Sequence, residues 1–413
     1  MTVVVGLDSI NIDGTSLIDN TSITLGGTSV FAAGTINPAL LPTSSVSYNG
    51  RKNRVINGTF LFDQRHEGAN LVVNTSNGSY PADRFAVFAS NIHVLSCGYN
   101  LPNTSGPLST NNYIGVKVIN THATLLANDF FDVQTAIEGP NFIDAQWGTA
   151  NPNPFTLSFQ VYSTMTGNFT VMVSSNTNAS SQYQAYPVLY NIPTANTWTN
   201  VSVTFAGANA TTGNSTLFST GAGNGCVWLT WCLGAGTNNI LTANTWTLTS
   251  VGIAATGQAN LMSVNNSVWA IQNVQFEPGS TQTAMEFNTY KNELEECQRY
   301  FEKSLNRGIA PGANVVANLA IGGAAVLFGV QGVSLSQFTY PYKVEKAVVP
   351  TLVTYDQNGN AASVSLFPAD DGSVSSIPQS TVNFFTYMSG FTFDNENGAE
   401  LAFDFTSNAE III

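Results

Sequence analysis

Four carboxylates crowd one short stretch of the chain, Asp129, Asp132, Glu138 and Asp144 in "NDFFDVQTAIEGPNFID". Two carboxyl groups held roughly 5 to 9.5 Å apart would hydrolyse a glycosidic bond, and hard oxygen ligands of the same kind would hold Ca²⁺. The pattern around them speaks for neither. The acids fall at turn positions between strand-like runs, and no Asp-x-Asp-x-Asp loop is present. The reading is a non-enzymatic protein with no cofactor, a structural calcium being left open. His66, His93 and His122 stand apart from one another and from every cysteine, so neither a zinc site nor a nucleophilic triad finds its spacing.

Sugar binding asks for different residues: aromatic faces to stack on and amide side chains to meet hydroxyls, in a groove or on a sheet face. Trp147 in "AQWGTANPNP" and Tyr183 in "NASSQYQAY" lie beside loops rich in Asn, Gln and Ser and are the candidate carbohydrate-binding residues. Trp198, Trp228, Trp231, Trp246 and Trp269 fall on predicted strands and read as core. Arg65, Glu67, Asp83 and Arg84 read as an ion-pair cluster pinning the first strands together. Only 9% of the residues are charged, and in such a chain partly buried pairs are structural.

At 413 residues the chain exceeds what one hydrophobic core fills, so at least two domains are expected. Aromatics at 11% and continuous alternation exclude a disordered chain. A net charge of −13 speaks against nucleic acid, which needs clustered Lys and Arg, and against an anionic membrane surface. No apolar run is long enough to span a bilayer, so no membrane insertion is expected. The opening "MTVVVGLDSINIDG" lacks the basic start of a secretion signal. Cys97, Cys226, Cys232 and Cys297 are scattered without metal-site spacing and read as free, buried thiols.

Residues 1–48 alternate in short runs broken by Asp-Gly, Asn-Thr and Gly-Gly, the punctuation of tight β-turns. So small a segment reads as a stem that docks onto another protein or onto its own copies, with "NPALLPTSS" as linker. Residues 49–288 carry strand after strand, among them "FTLSFQVYS", "NFTVMVSS", "WTNVSVTF", "CVWLTWCL" and "VWAIQNVQF", the pattern of a jelly-roll β-sandwich. "TANTWTNVSV" at 194–203 is echoed by "TANTWTLTSV" at 242–251, placing Trp198 and Trp246 at matching strand starts. Residues 308–413 predict a second, smaller C-terminal β-sandwich, with a hairpin at "YDQNGNA".

Between the two lies the one helical signal, the connecting segment 289–307. Tyr290, Leu294, Cys297 and Phe301 are spaced four, three and four apart, one apolar stripe with Glu and Lys around it. Asn288 or Thr289 caps the predicted helix. Its stripe is expected to bury between the two sandwiches or against symmetry mates, as an interdomain or trimer contact, with the charges facing water. The fold class expected is all-β, with a β-rich stem, a jelly roll, one short helix and a smaller sandwich.

Several of these residues, taken in order, resemble phage virion structural proteins of the tail-fibre type. The resemblance runs from Arg54 to Ser304 through "RVINGTFLFDQRHEG", "YPADRFAVF", "VQTAIEGPNFIDAQWGTANPNPFTLSFQVYSTMTGNFTV" and "VQFEPGSTQTAMEFNTYKNELEECQRYFEKS", which ends in a Cys-Gln-Arg-Tyr helix. It extends more faintly into "FTYPYKVEKAVVPTLVTYDQNGN" and "GAELAFDFTSNAEI". The chain departs from the pattern at "KVEKAVVP", where the family carries Met-Arg, and the stem matches nothing specific. The resemblance implies a jelly roll like that of carbohydrate-binding modules, shown on the virion surface, often as a homotrimer, after synthesis in the host cytoplasm and release by lysis. Expected partners are copies of itself, other virion proteins through the stem, and a host surface polysaccharide, for receptor binding and host attachment. The alternatives are a capsid or baseplate decoration protein without receptor binding, and a polysaccharide depolymerase.

Overall fold

The computed structural model describes side chains for residues 51–73, 78–90, 94–101, 111–177, 180–208, 217–218, 221–313, 341–363, 365 and 404–411. Further strands within 10–36 and 327–402 are described by backbone alone. The protein is all-β, with one short α-helix among the described residues. The chain divides into two compact units, Met1–Lys52 and Asn53–Ile413. In the first, five strands of two to five residues follow one another as an antiparallel meander between Ile10 and Ile36. The expected linker "NPALLPTSS" is outside the described residues, as is His93.

The second unit is built on two facing antiparallel sheets, a jelly-roll sandwich. One has six strands, in the order Thr199–Phe205, Phe155–Ser163, Val268–Pro278, Ile114–Val118, Leu95–Tyr99 and Leu71–Val72. The other has seven: Thr247–Thr249, Tyr183–Ile192, Gly167–Ser175, Gly225–Ala235, Phe130–Glu138, Phe85–Ala89 and Ser79–Ala82. Alternation decides which face goes inward, because successive side chains of a strand point to opposite sides. From Phe155–Ser163, Phe155, Leu157, Phe159 and Val161 enter the core, and Leu157 stands opposite both Val203 and Phe276. The opposing sheet sends in Phe131, Val133, Val171, Val173, Leu229 and Trp231. The fully enclosed aromatics stabilise this interior by roughly 1.5–3 kcal/mol each.

The "ING" element closes the sandwich edge. Asn57 is in the left-handed region at φ 60°, and its side chain donates to the carbonyls of Phe62 (2.9 Å) and Asp83 (2.8 Å) and accepts from Phe62 N (3.1 Å). Gly58 follows because a Cβ there would lie 2.1 Å from the Val274 carbonyl oxygen.

The helix spans Tyr290–Gln298, with Thr289 as N-cap accepting from Asn292 N. It is shorter than the apolar spacing predicts. Phe301 is not on it but opens the strand Phe301–Lys303, which pairs with Asp404–Asn408. Arg299, Tyr300 and the strand are claimed by sheet partners: Ala347 N donates to Arg299 O (3.0 Å) and Ala409 N to Tyr300 O (2.7 Å). Cys297, Tyr300, Phe62, Ile56 and Ala347 form one small cluster, with Leu294 against it. The helix therefore packs on residues of its own chain. Tyr290 is 47% exposed and meets Phe62 edge-on at 4.9 Å. The charges do not all face water: Glu293 is buried and accepts from Asn57 N.

C-terminal to the helix lie three small antiparallel sheets. The hairpin expected at "YDQNGNA" is not a ladder. Thr351–Tyr355 pairs with Asp404–Asn408, whereas Ser363–Phe367 pairs with Ser375–Pro378 and Glu400–Ala402. One bridge, Tyr355 to Ala361, joins them. The turn is held by Asp356, which accepts from Asn358 N (2.9 Å) and Asn360 N (2.8 Å), and by Gly359 at φ 84°. The echoed segments do make one turn twice: Asn196 and Asn244 share φ near 60° and bond back to Ser163 O (2.7 Å) and Pro187 O (2.8 Å).

Candidate functional site

Many of the chain's charges gather in a buried seam, whose Lys303–Glu67 pair also borders a cavity beside the helix. Arg65 meets Asp83 (3.3 Å) and Glu410 (3.1 Å), and Arg84 also reaches Glu410 while lying 3.5 Å over the Tyr300 ring. Glu138 accepts from Arg299 Nε (2.8 Å) and Nη2 (2.6 Å) and from the Tyr300 hydroxyl (2.9 Å). Lys346 pairs with Glu302 at 2.6 Å, both fully enclosed, and Lys303 pairs with Glu67. Burial works against the ionised form of Glu138, but the hydrogen bonds from Arg299, Gly223 and Tyr300 outweigh it and hold its carboxyl below the ordinary range. Burial likewise pulls the Arg84 guanidinium down, yet the Glu410 carboxylate more than compensates and its pKa is raised. The ion-pair cluster expected around Arg65 and Arg84 is thus larger than its sequence neighbourhood. It ties the first turns of the sandwich to the helix end and to the last strand.

Among the described residues, two cavities are large enough to weigh as sites. One, of about 240 Å³, lies beside the helix among Phe62, Asp63, Tyr99, Tyr290 and Arg307. The other, of about 440 Å³, lies on the outward face of the seven-stranded sheet. Ligand sites usually occupy roughly 300–1,000 Å³, which favours the second. The ladder builds it: Phe88, Asp132 and Cys232 stand in register on three adjacent strands, as do Met172 and Thr230 on two. Phe88, Phe130, Met172 and Tyr183 give it apolar and aromatic surface; Asn128, Gln134, Ser174 and Thr230 give amides and hydroxyls. The segment from Ser250 to Ile253 forms one rim, and the Tyr183 hydroxyl donates to Gly252 O at 3.0 Å, fixing the ring against it.

Asp132 is the one carboxylate lining this cleft. It is 1% exposed, and neither carboxylate oxygen has a hydrogen-bond partner of good geometry; the Thr230 hydroxyl beside it also lacks one. Burial pushes the Asp132 carboxyl up to about 7, the Gln134 amide offsetting this only in part. Burial, with the Asp132 charge adding to it, pushes the Tyr183 phenol up to about 12.

Of the two sequence candidates, the structure brings only Tyr183 to the cleft. Trp147 is a core residue, 5% exposed. Phe142, Phe218 and Trp246 meet its ring edge-on at 5.0, 5.7 and 5.4 Å, and its Nε1 donates to Asn153 O at 2.7 Å. No face of that ring is free for a sugar. The four clustered acids are dispersed as well. Asp129 accepts from Leu126 N (2.7 Å) and lies 2.7 Å from His122 Nε2, Glu138 joins the seam, and Asp144 pairs with Arg54 at 2.5 Å. Among the described residues, no group of three His, Cys, Asp or Glu side chains could hold a metal ion. All four cysteines are free and buried. Phe88, Phe130 and Met172 were missed as site residues; the outward parity of alternating strand positions was the signal available for Phe88 and Met172.

No protein-family model matches the chain, and no curated protein matches it in sequence. Solved structures are similar to part of it. One is a family 11 carbohydrate-binding module from Clostridium thermocellum in complex with a β-1,3-1,4-mixed-linked tetrasaccharide. It shows 9% identity over 52% of this chain and 98% of that one, at a TM-score of 0.25. Another is the enzymatically active domain of tailspike protein 4 of bacteriophage CBA120, at 14% identity over 55% of this chain and 21% of that one, TM-score 0.26. A third is the CBM22-1–GH10 portion of xylanase 10B of Clostridium thermocellum with xylohexaose, at 12% identity over 53% of this chain and 30% of that one, TM-score 0.25. The chain thus spans 21% and 30% of the last two.

Proposed function

We propose that this chain is a carbohydrate-binding protein of the tail-fibre type, displayed on a phage exterior as a homotrimer and attached to other virion proteins through residues 1–48. The observation that carries the binding reading is the cleft on the seven-stranded sheet, where aromatic and apolar surface alternates with amides and hydroxyls, the mixture that sugar rings and their hydroxyls require. The virion reading rests on the order of motifs between Arg54 and Ser304, whose polar residues build the buried seam. Binding without cleavage is the reading taken for the cleft, where Asp132 is the one carboxylate among the described lining residues and glycoside hydrolysis commonly uses a pair.

Affinity electrophoresis of the full chain through gels containing host lipopolysaccharide or capsular polysaccharide, with an assay for reducing ends, tests the reading. Retardation is expected without new reducing ends. Tyr183→Ala is expected to weaken it about tenfold, the worth of one aromatic contact. Migration unchanged by every host polysaccharide would leave the decoration role, and released reducing ends the depolymerase.

A further inference from the structure

The electrostatics of the cleft point to its occupant: we infer that it selects a sugar carrying a free amine, a de-N-acetylated amino sugar, with Asp132 as the charge-selecting residue. The inference rests on the reading of the cleft as a carbohydrate site and narrows its ligand class. Asp132 projects from the strand Phe130–Glu138 to the cleft floor, with Phe88 and Cys232 opposite it on the neighbouring strands. Its oxygens accept no well-formed hydrogen bond, and among the described residues no Lys or Arg lines the cleft to balance its charge. The nearest acid along the strand, Asp129, is engaged by His122 and Leu126 N. Elsewhere among the described residues, buried carboxylates meet a cation or a hydrogen-bond donor: Glu138, Glu302 and Glu410 an Arg or Lys, and Asp63, Glu277, Glu293, Asp356 and Asp404 a backbone N–H or a hydroxyl.

A buried, unpaired carboxylate is costly and is relieved by an opposite charge brought close to it. An ammonium group in the cleft supplies that charge, and the low local dielectric strengthens the attraction. The same field repels a uronate or sialate carboxylate. An N-acetyl group removes the ammonium and leaves Asp132 unrelieved. The unpartnered Thr230 hydroxyl adds an acceptor or donor beside the same floor for a neighbouring sugar hydroxyl.

The test is titration calorimetry of the full chain with three oligosaccharides of equal length: β-1,4-glucosamine, its N-acetylated form and oligogalacturonate. Measurements are made at about pH 7 on the parent chain and on Asp132→Asn. The parent is expected to bind the glucosamine oligomer at least tenfold more tightly than the N-acetylated one and to show no binding of the galacturonate. In Asp132→Asn the ratio is expected to fall to about one. Equal binding of both in the parent overturns the inference while leaving the carbohydrate reading standing. A ratio unchanged in Asp132→Asn also overturns it, placing the preference on the chain's overall negative charge. Absence of any glycan binding, together with no retardation by host polysaccharide, removes both. If Asp132→Asn does not fold, the parent comparison repeated at high salt decides: a preference set by the chain's overall charge is screened away and overturns the inference, whereas one set by the enclosed Asp132 persists.

Discussion

Removing Glu410 tests whether the buried seam holds the second unit together. Its carboxylate is 2% exposed and is shared by Arg65 and Arg84, themselves 8% and 1% exposed. Deleting one partner of a buried ion pair costs about 3–5 kcal/mol, because a charge is left enclosed without compensation. Here the lower end applies. In Glu410→Ala, Arg84 retains the Ala136 carbonyl (2.7 Å) and the Tyr300 ring, and Arg65 retains Asp83 and Asn408 Oδ1 (3.3 Å). With a urea slope of roughly 3 kcal/mol per molar, a loss of about 3 kcal/mol lowers the unfolding midpoint by about 1 M. The assay is urea unfolding followed by tryptophan emission. A double change, Arg84→Met with Glu410→Leu, is expected to recover most of the loss, since apolar groups replace buried ion pairs without penalty. A Glu410→Ala midpoint within about 0.2 M of the parent would refute the view that these pairs tie the last strand to the sandwich.

Other consequences follow from the same geometry. The carboxyl of Asp132, raised to about 7 by burial, binds its proton more tightly folded than unfolded, so its favourable contribution is present below about pH 4 and lost as pH rises through 7. Asp132→Asn should therefore raise stability above neutral pH by at most on the order of 4 kcal/mol, read as a higher melting temperature, and change it little near pH 4; a uniform loss at both would contradict this. Trp147→Ala should cost about 3–5 kcal/mol in urea unfolding, a cavity effect, yet leave glycan affinity unchanged once folded; a selective affinity loss with stability intact would place the ring in the site after all. The four cysteines should resist a thiol reagent in the native chain and react together on denaturation, since burial pushes the Cys226 thiol up to about 12 and raises the other three as well; one rapidly reacting native thiol would contradict it.

Much of the sandwich was legible because period-two alternation survives in the sequence. "FTLSFQVYS" is the strand Phe155–Ser163, and "CVWLTWCL" lies within Gly225–Ala235. The helix was legible at its start, where Thr289 caps it, but not at its end. The stripe continues through Phe301, while long-range pairing with Asp404–Asn408 converts the next residues to strand. Local spacing carries no information about a partner a hundred residues away. At "YDQNGNA" the turn falls where the sequence puts it, closed by the antiparallel bridge Tyr355 to Ala361, but the same limit hid that its flanking strands go on to join different sheets. The site was half legible. Tyr183 was singled out for its polar surroundings, whereas Trp147 has similar neighbours in sequence and is enclosed by Phe142, Phe218 and Trp246. Asp132 stood out only as one of four acids; what distinguishes it is the lack of a partner, a property of the folded sheet.

The claim on which the functional account stands is that glycan binds the outward face of the seven-stranded sheet. Hydroxyl-radical footprinting of the chain, with and without a polysaccharide that retards it, reads this directly. Protection is expected at Phe88, Phe130 and Tyr183, with Tyr290 and Phe287 beside the helix equally oxidised in both states. Protection at Tyr99 and Tyr290 with the sheet residues unchanged would move the site to the smaller cavity and contradict the account.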